Sequence, residues 1–162
     1  MTRRNLFSWL SAFGLGPTVA TAAAPSPQQP GSSGKLVLTD ADWRSRLSPA
    51  QYDVLRHEGT ERPGSSALNA EKRPGTFVCA GCDLPLFSHT MKYESGTGWP
   101  SFFDTLPGAI ETRTDYKLIL PRTEYHCTRC GGHHGHVFKD GPKPTGLRYC
   151  NNGVALRFEV AA

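Results

Sequence analysis

Two short stretches, "CAGC" (Cys79, Cys82) and "CTRC" (Cys127, Cys130), constrain the fold of this chain more than any other feature. Each Cys-x-x-Cys presents two sulfurs from one tight turn. Two such knuckles can bring four thiolates onto a single tetrahedral Zn²⁺ at about 2.3 Å. The stretch between Cys82 and Cys127 is longer than zinc-ribbon spacing, so one structural zinc per chain would staple two distant loops. Two other chemistries use the same residues. A redox Cys-x-x-Cys opens a helix within a βαβ pattern, which neither pair does. A disulfide framework suits an oxidising compartment. Zinc is the preferred reading, with both alternatives open.

The N-terminus bears on that choice. "MTRRNLFSWLSAFGLGPTVATAAAPSPQQPGSSG" begins with paired arginines, continues through an apolar stretch softened by Gly14, Gly16 and Pro17, and reaches small residues suited to cleavage. Residues 1–24 read as an export signal and 25–34 as a flexible Pro/Gly/Ser/Gln-rich linker, which leaves 35–162 as the folded domain. The Thr-Arg-Arg-x-Leu-Phe run resembles a twin-arginine signal, which delivers folded proteins to the periplasm. A protein folded before export loads its metal in the reducing cytoplasm. An uncleaved membrane anchor is the weaker alternative, since spanning needs about 20 strongly apolar residues. After cleavage no stable membrane association is expected. The 18 basic residues, two of them Arg3 and Arg4, exceed the 14 acidic ones too slightly for nucleic-acid binding, and no basic run is present.

Within the domain, Thr39 with Asp42 resembles a capping box, and Ser48, Pro49 and Gln51 open a second short helix that Gly59 ends. Residues 60–75 read as a surface loop. From Thr76 onward, β-branched and aromatic runs ("TFVC", "YKLIL", "TEYHC", "GHVF", "VALRFEV") alternate with Gly, Pro and Asp and predict antiparallel strands. "KDGPKPTG" is a turn cluster that aims the following "LRYC". The fold class is a small β-rich α+β domain with short N-terminal helices and zinc-stapled loops.

The chain's fifth cysteine, Cys150, has no Cys-x-x-Cys partner. On an extended chain Arg148, Cys150 and Asn152 share a face, where Arg148 would lower the thiol pKa and Asn152 would hydrogen-bond a thiolate or a substrate oxygen. A buried structural cysteine is the competing reading. "GGHHGHVF" holds His133, His134 and His136; His133 and His136 look like proton-transfer groups held on one side of a turn. A second metal there is the weaker reading, because the cysteines already complete a tetrahedral set.

Taken together, "SGTGWPSF" (95–102), "CGGHHGHVFKDGPKPTGLRYC" (130–150) and "NNGVALRF" (151–158) resemble the class B methionine-R-sulfoxide reductases, and the knuckles resemble those of the zinc-binding form. The resemblance runs from about Thr39 to the C-terminus and includes "LSPAQYDVLRHEGTERP". It implies two antiparallel sheets behind N-terminal helices, and thiol-dependent reduction of methionine-R-sulfoxide, free or in proteins. By motif, Cys150 is the nucleophile flanked by Arg148 and Asn152. His133 and His136 bind and protonate the sulfoxide oxygen, and Trp99 and Phe138 form the substrate pocket. The implied cycle passes through a Cys150 sulfenic acid that an external thiol or thioredoxin-like reductant returns to the thiol; a monomer is expected.

Three departures stand out. Thr97 occupies the place of the resolving cysteine carried by many members. Leu118 stands where others have a histidine. Asn151 and Gly153 replace the residues of the commoner "RYCINS" run. A zinc-stapled peptide-binding module without chemistry, and a DNA-binding zinc ribbon, are the rival readings.

Overall fold

The computed structural model describes residues 34–117 and 120–161. The export leader at 1–24, the linker before Gly34, and Leu118 lie outside the described residues. Among the described residues, no helix is long and apolar enough to cross a membrane.

Helix α1 (Asp40–Arg46) starts where the sequence marks it, with the Thr39 hydroxyl accepting from the Asp42 amide and the Asp42 carboxylate accepting in return from the Thr39 amide. Helix α2 (Pro49–His57) has the same reciprocal cap from Ser48 and Gln51, with Pro49 in its first turn. The left-handed residue ending α2 is Glu58, at φ 58°, and not Gly59. The Gly59 amide bonds the Asp53 carbonyl at 3.1 Å, and a Cβ at Gly59 would displace the Asp53 carboxylate.

Strands β1 (Gly75–Cys79), β2 (Pro85–Ser88) and β9 (Leu156–Val160) form a three-stranded antiparallel sheet in the order β2-β1-β9. Strands β3 (Lys92–Tyr93), β4 (Ser101–Phe102), β5 (Ile110–Asp115), β6 (Arg122–Cys127), β7 (His133–Phe138) and β8 (Arg148–Asn151) form a six-stranded sheet in the order β3-β4-β8-β7-β6-β5. An aromatic seam joins the two sheets. Phe77 and Phe87 from the first meet Phe102 from the second, with Phe87 and Phe102 stacked at 4.1 Å and Phe77 edge-on to Phe102 at 4.9 Å. All three are fully buried, so truncating any one to alanine costs about 3–5 kcal/mol.

The strand expected at "YKLIL" is displaced. β5 ends at Asp115, and Tyr116 and Leu120 are exposed and outside any strand. The observed strand, "IETRTD", has mostly exposed side chains and pairs with β6 through polar contacts such as Arg113 with Glu124, so an apolar pattern does not reveal it.

Candidate active site and metal centre

The two knuckles are built alike. In the first, the Asp83 amide bonds the Cys79 carbonyl at 2.8 Å and the Cys79 amide bonds the Leu84 carbonyl at 2.9 Å. In the second, the Gly131 amide bonds the Cys127 carbonyl at 2.8 Å and the Cys127 amide bonds the Gly132 carbonyl at 2.9 Å. Asp83 (φ 61°) and Gly131 (φ 66°) hold the same left-handed position after the second cysteine. Their sulfurs meet: all four lie within 4.8 Å of one another, Cys79 Sγ 3.6 Å from Cys130 Sγ and Cys82 Sγ 3.5 Å from Cys127 Sγ. Four sulfurs about 2.3 Å from a tetrahedral centre lie roughly 3.8 Å apart, so the set fits a four-coordinate ion, and none of the cysteines is disulfide-bonded. Thiol donors from Cys130, Cys79 and Cys82 pull the Cys127 thiol down, while donating to Cys127 pushes Cys79 and Cys130 up. Unaided, the cluster resists holding several negative charges. A dication removes that conflict. The carbonyls of Cys82 and Cys130 accept from Arg129 and Arg56, each at 3.0 Å.

The histidines lie in β7, His133 directly after the turn of the second knuckle and His136 further along the strand. Residues three apart on a regular strand face opposite ways. Here the register slips: Tyr125 pairs with Gly135 and His126 with His133, so His134 is an extra residue. The bulge restores His133 and His136 to one face, with ring centroids 5.5 Å apart, and turns His134 into the core beside Tyr125. Burial pushes His134 down to about 3.

Beyond the bulge, the pairing lines up one row across the sheet: Arg113 opposite Glu124, Glu124 opposite His136, His136 opposite Cys150, and Cys150 opposite Ser101. Cross-strand partners present their side chains on the same face. The approach of β7 to β8 depends on Gly135, because a Cβ there would collide with the Cys150 carbonyl oxygen.

A small cavity of about 130 Å³ opens over this row, lined by Cys150, His136, Trp99, Phe138, Arg122 and Asn152 among others. It is below the few hundred Å³ of a drug-sized site and suits a side-chain tip. A larger groove, about 620 Å³, lies between α2 and residues 60–68 but has no cysteine or histidine in its wall. The Trp99 indole N–H donates to the Glu61 carbonyl at 3.1 Å, and the Glu61 carboxylate accepts from the amides of Gly153 and Val154 at 2.6 and 3.0 Å. Glu61 thus ties the indole to the segment after Cys150.

The two histidines differ. His136 lines the cavity, and its Nε2 bonds Asp115 Oδ2 at 2.8 Å. The Lys117 amide, His136 and Arg122 hold the Asp115 carboxyl well below the usual carboxylate range, so the acceptor is ionised and Nε2 carries the proton. His133 is buried behind His136, its Nδ1 2.6 Å from Glu124, and burial lowers its pKa, so it is neutral. Glu124 in turn accepts from Arg113.

Two expectations around Cys150 are revised. Arg148 does pull the thiol pKa down, but burial outweighs it and the thiol is raised overall. The guanidinium is committed elsewhere, donating twice to Asp140 at 2.8 Å and stacking over Phe138 at 4.3 Å. Asn152 leaves the strand: its side-chain oxygen accepts from the Glu61 amide at 3.0 Å and its Nδ2 donates to the His134 carbonyl at 2.9 Å. It braces the cavity wall and spends its hydrogen bonds on backbone. Asp115, Glu124, Arg122, Glu61 and Asp140 went unnoticed in the sequence because each acts across strands or loops.

Residues 47–160 match the family model described as SelR domain. The chain is 49% identical over 129 residues to the peptide methionine sulfoxide reductase MsrB of Agrobacterium fabrum, covering 79% of this chain and 96% of that protein. It is 52% identical over 128 residues to the protein of the same name from Pseudomonas putida, covering 77% and 95%. Against the chloroplastic peptide methionine sulfoxide reductase B1 of Arabidopsis thaliana the identity is 39% over 158 residues, covering 97% and 77%.

Proposed function

The chain belongs to the SelR-domain family of class B methionine sulfoxide reductases, and from that premise we propose that it reduces the R epimer of methionine sulfoxide through a sulfenic acid on Cys150. The observation that carries this reading is the row that sets Cys150 opposite His136 beneath a side-chain-sized cavity walled by Trp99 and Phe138.

The substrate's S-methyl group lies against Trp99, and its oxygen points to His136. The Cys150 thiolate attacks the sulfoxide sulfur while His136, its imidazolium stabilised by ionised Asp115, gives a proton to the oxygen. The oxygen ends on Cys150 as a sulfenic acid, so the cysteine loses two electrons and the sulfoxide gains them, and methionine departs. One external thiol displaces water from the sulfenic acid to give a mixed disulfide, and a second opens it. His133, neutral and buried with its ring 5.5 Å from that of His136, backs the acid from behind, and Arg148 shapes the wall through Phe138 and Asp140.

Cys79, Cys82, Cys127 and Cys130 would hold one Zn²⁺, which when bound supplies folding energy and no chemistry of the reaction. The reductant is a thioredoxin-like thiol and the protein acts as a monomer in the periplasm, delivered by the twin-arginine route. Changing Arg3 and Arg4 to Lys should block that delivery. The decisive experiment is turnover of separated methionine sulfoxide epimers with a dithiol reductant. The R epimer should be consumed and Cys150→Ser should abolish the reaction in folded protein; retained turnover in Cys150→Ser refutes the assignment.

A further inference from the structure

Glu58 does not line the cavity, yet both histidine–carboxylate pairs trace back to it. It is the left-handed residue that ends α2, with 30% of its side chain exposed. Its two oxygens take different partners. Oε1 accepts from Arg113 Nη2, and Oε2 pairs with Lys117 Nζ.

Each partner leads to one histidine. Arg113 also donates to Glu124, through Nε and, at 3.2 Å, through Nη2, and Glu124 Oε1 lies 2.6 Å from His133 Nδ1. Lys117 gives its backbone amide to Asp115 Oδ1 at 2.8 Å, and Asp115 Oδ2 accepts from His136 Nε2 at 2.8 Å. Two branches, one through a guanidinium and one through a backbone amide, thus diverge from a single carboxylate. Because α2 also packs against β7, which carries both histidines, the contacts close a circuit from helix to strand and back.

Neither branch holds itself. Arg113 and Lys117 keep 54% and 57% of their side chains exposed, and long exposed side chains lose entropy when held in one geometry. Glu124 is 3% exposed, and a carboxylate so buried needs a fixed cation, which Arg113 supplies only while its far end is anchored. Lys117 lies just past the end of β5 at Asp115, so holding its ammonium fixes the turn that aims its amide. A lone surface ion pair is worth about fivefold or less in an equilibrium. Here one carboxylate serves two cations, and both branches depend on it.

We propose that Glu58 is a positioning residue for the reaction, bracing at once the Glu124 that holds His133 and the Asp115 that holds His136. Through it the end of α2 is coupled to the setting of the histidine pair over Cys150.

The effect on turnover rests on His136 being the acid, but the brace is read on the histidines themselves, so the two readings fail separately. The probes are the imidazole N–H proton resonances of His133 and His136 in zinc-loaded, histidine-labelled full chain. Glu58→Gln keeps the size of the side chain and removes the charge. Both protons should then exchange with water about three- to tenfold faster. In Lys117→Met the backbone amide remains, and only the His136 proton should exchange faster. Turnover of methionine-R-sulfoxide by Glu58→Gln should show kcat about three- to tenfold lower, with KM within about twofold because Glu58 meets no substrate. Unchanged exchange at both histidines in folded Glu58→Gln overturns the brace, and a change at only one overturns its two-branch form. Equal acceleration of both protons in Lys117→Met, or of neither, overturns the Lys117 branch, and that arm decides even where Glu58→Gln does not fold. Faster exchange with kcat unmoved overturns the part of Glu58 in the reaction; a kcat also unmoved in Asp115→Asn would place that failure in the reading of His136.

Discussion

Replacing Asp115 by asparagine isolates what the carboxylate does for His136. The side chain is nearly isosteric, and its remaining oxygen still accepts the Lys117 amide, a bond of 2.8 Å in the native protein. The nitrogen that replaces Oδ2 cannot accept from His136 Nε2 at 2.8 Å or from Arg122 Nη2 at 2.6 Å. One imidazolium–carboxylate hydrogen bond, present when His136 acts as an acid, is lost. Such bonds are worth about 1.5–3 kcal/mol, and each 1.36 kcal/mol is tenfold in rate, so kcat should fall about 10- to 150-fold. Steady-state turnover of methionine-R-sulfoxide with a dithiol, in protein of unchanged fold and zinc content, checks it. A kcat within about twofold of wild type would refute His136 as the acid.

Cys127→Ser should lose the bound metal, seen by elemental analysis, and lower the unfolding midpoint by roughly 10 °C or more, because the metal-binding energy is folding energy. Gly135→Ala should destabilise the fold by about 3 kcal/mol and depress activity with it, since the new Cβ meets the Cys150 carbonyl and forces β7 away from β8. His134 carries a stability signature: its pKa drops from 6.5 to about 3 on folding, so stability present above pH 6.5 is lost as pH falls toward 3, by roughly 2 kcal/mol at pH 5. His134→Phe removes that proton and should flatten the acid side of a denaturation series; parallel losses in the two proteins contradict the assignment.

How much of this was legible follows from where each signal resides. The capping boxes of Thr39 and Ser48, the knuckles and the β-rich middle were all readable, because caps and turns are set by residues a few positions apart. The long-range pairings were not. β5 was misplaced by a few residues because "IETRTD" carries its stability in contacts to β6, such as Arg113 with Glu124, and not in a pattern of its own. The partners of the histidines were hidden for the same reason: Asp115 and Glu124 reach His136 and His133 only once the register of three strands is known. For Cys150, the flanking Arg148 suggested a lowered thiol, but neither the Asp140 clamp nor the burial that outweighs it is visible from spacing.

The metal centre and the reacting row look like separate devices, yet β6 and β7 join them. Cys127 ends β6 three residues beyond Glu124, roughly 10 Å along a strand, so an ion held by the four cysteines would be too remote to act on the substrate. What it reaches is the register. The second knuckle closes the β6–β7 hairpin through the bond from the Cys127 amide to the Gly132 carbonyl, and the very next residue, His133, opens the bulge. A one-residue slip turns every later side chain of β7 to the other face. Were the hairpin to relax into a regular ladder, His133 and His136 would face opposite sides of the sheet, and only one could remain over Cys150. Leu55 packs on this corner, its side chain against Gly132 and Gly81 beside the Cys130 sulfur, so α2 and the knuckles hold the bulge from both sides. An ion bound at the end of this strand would therefore be coupled to the geometry of the acid, through the hairpin register that puts both histidines on the same face.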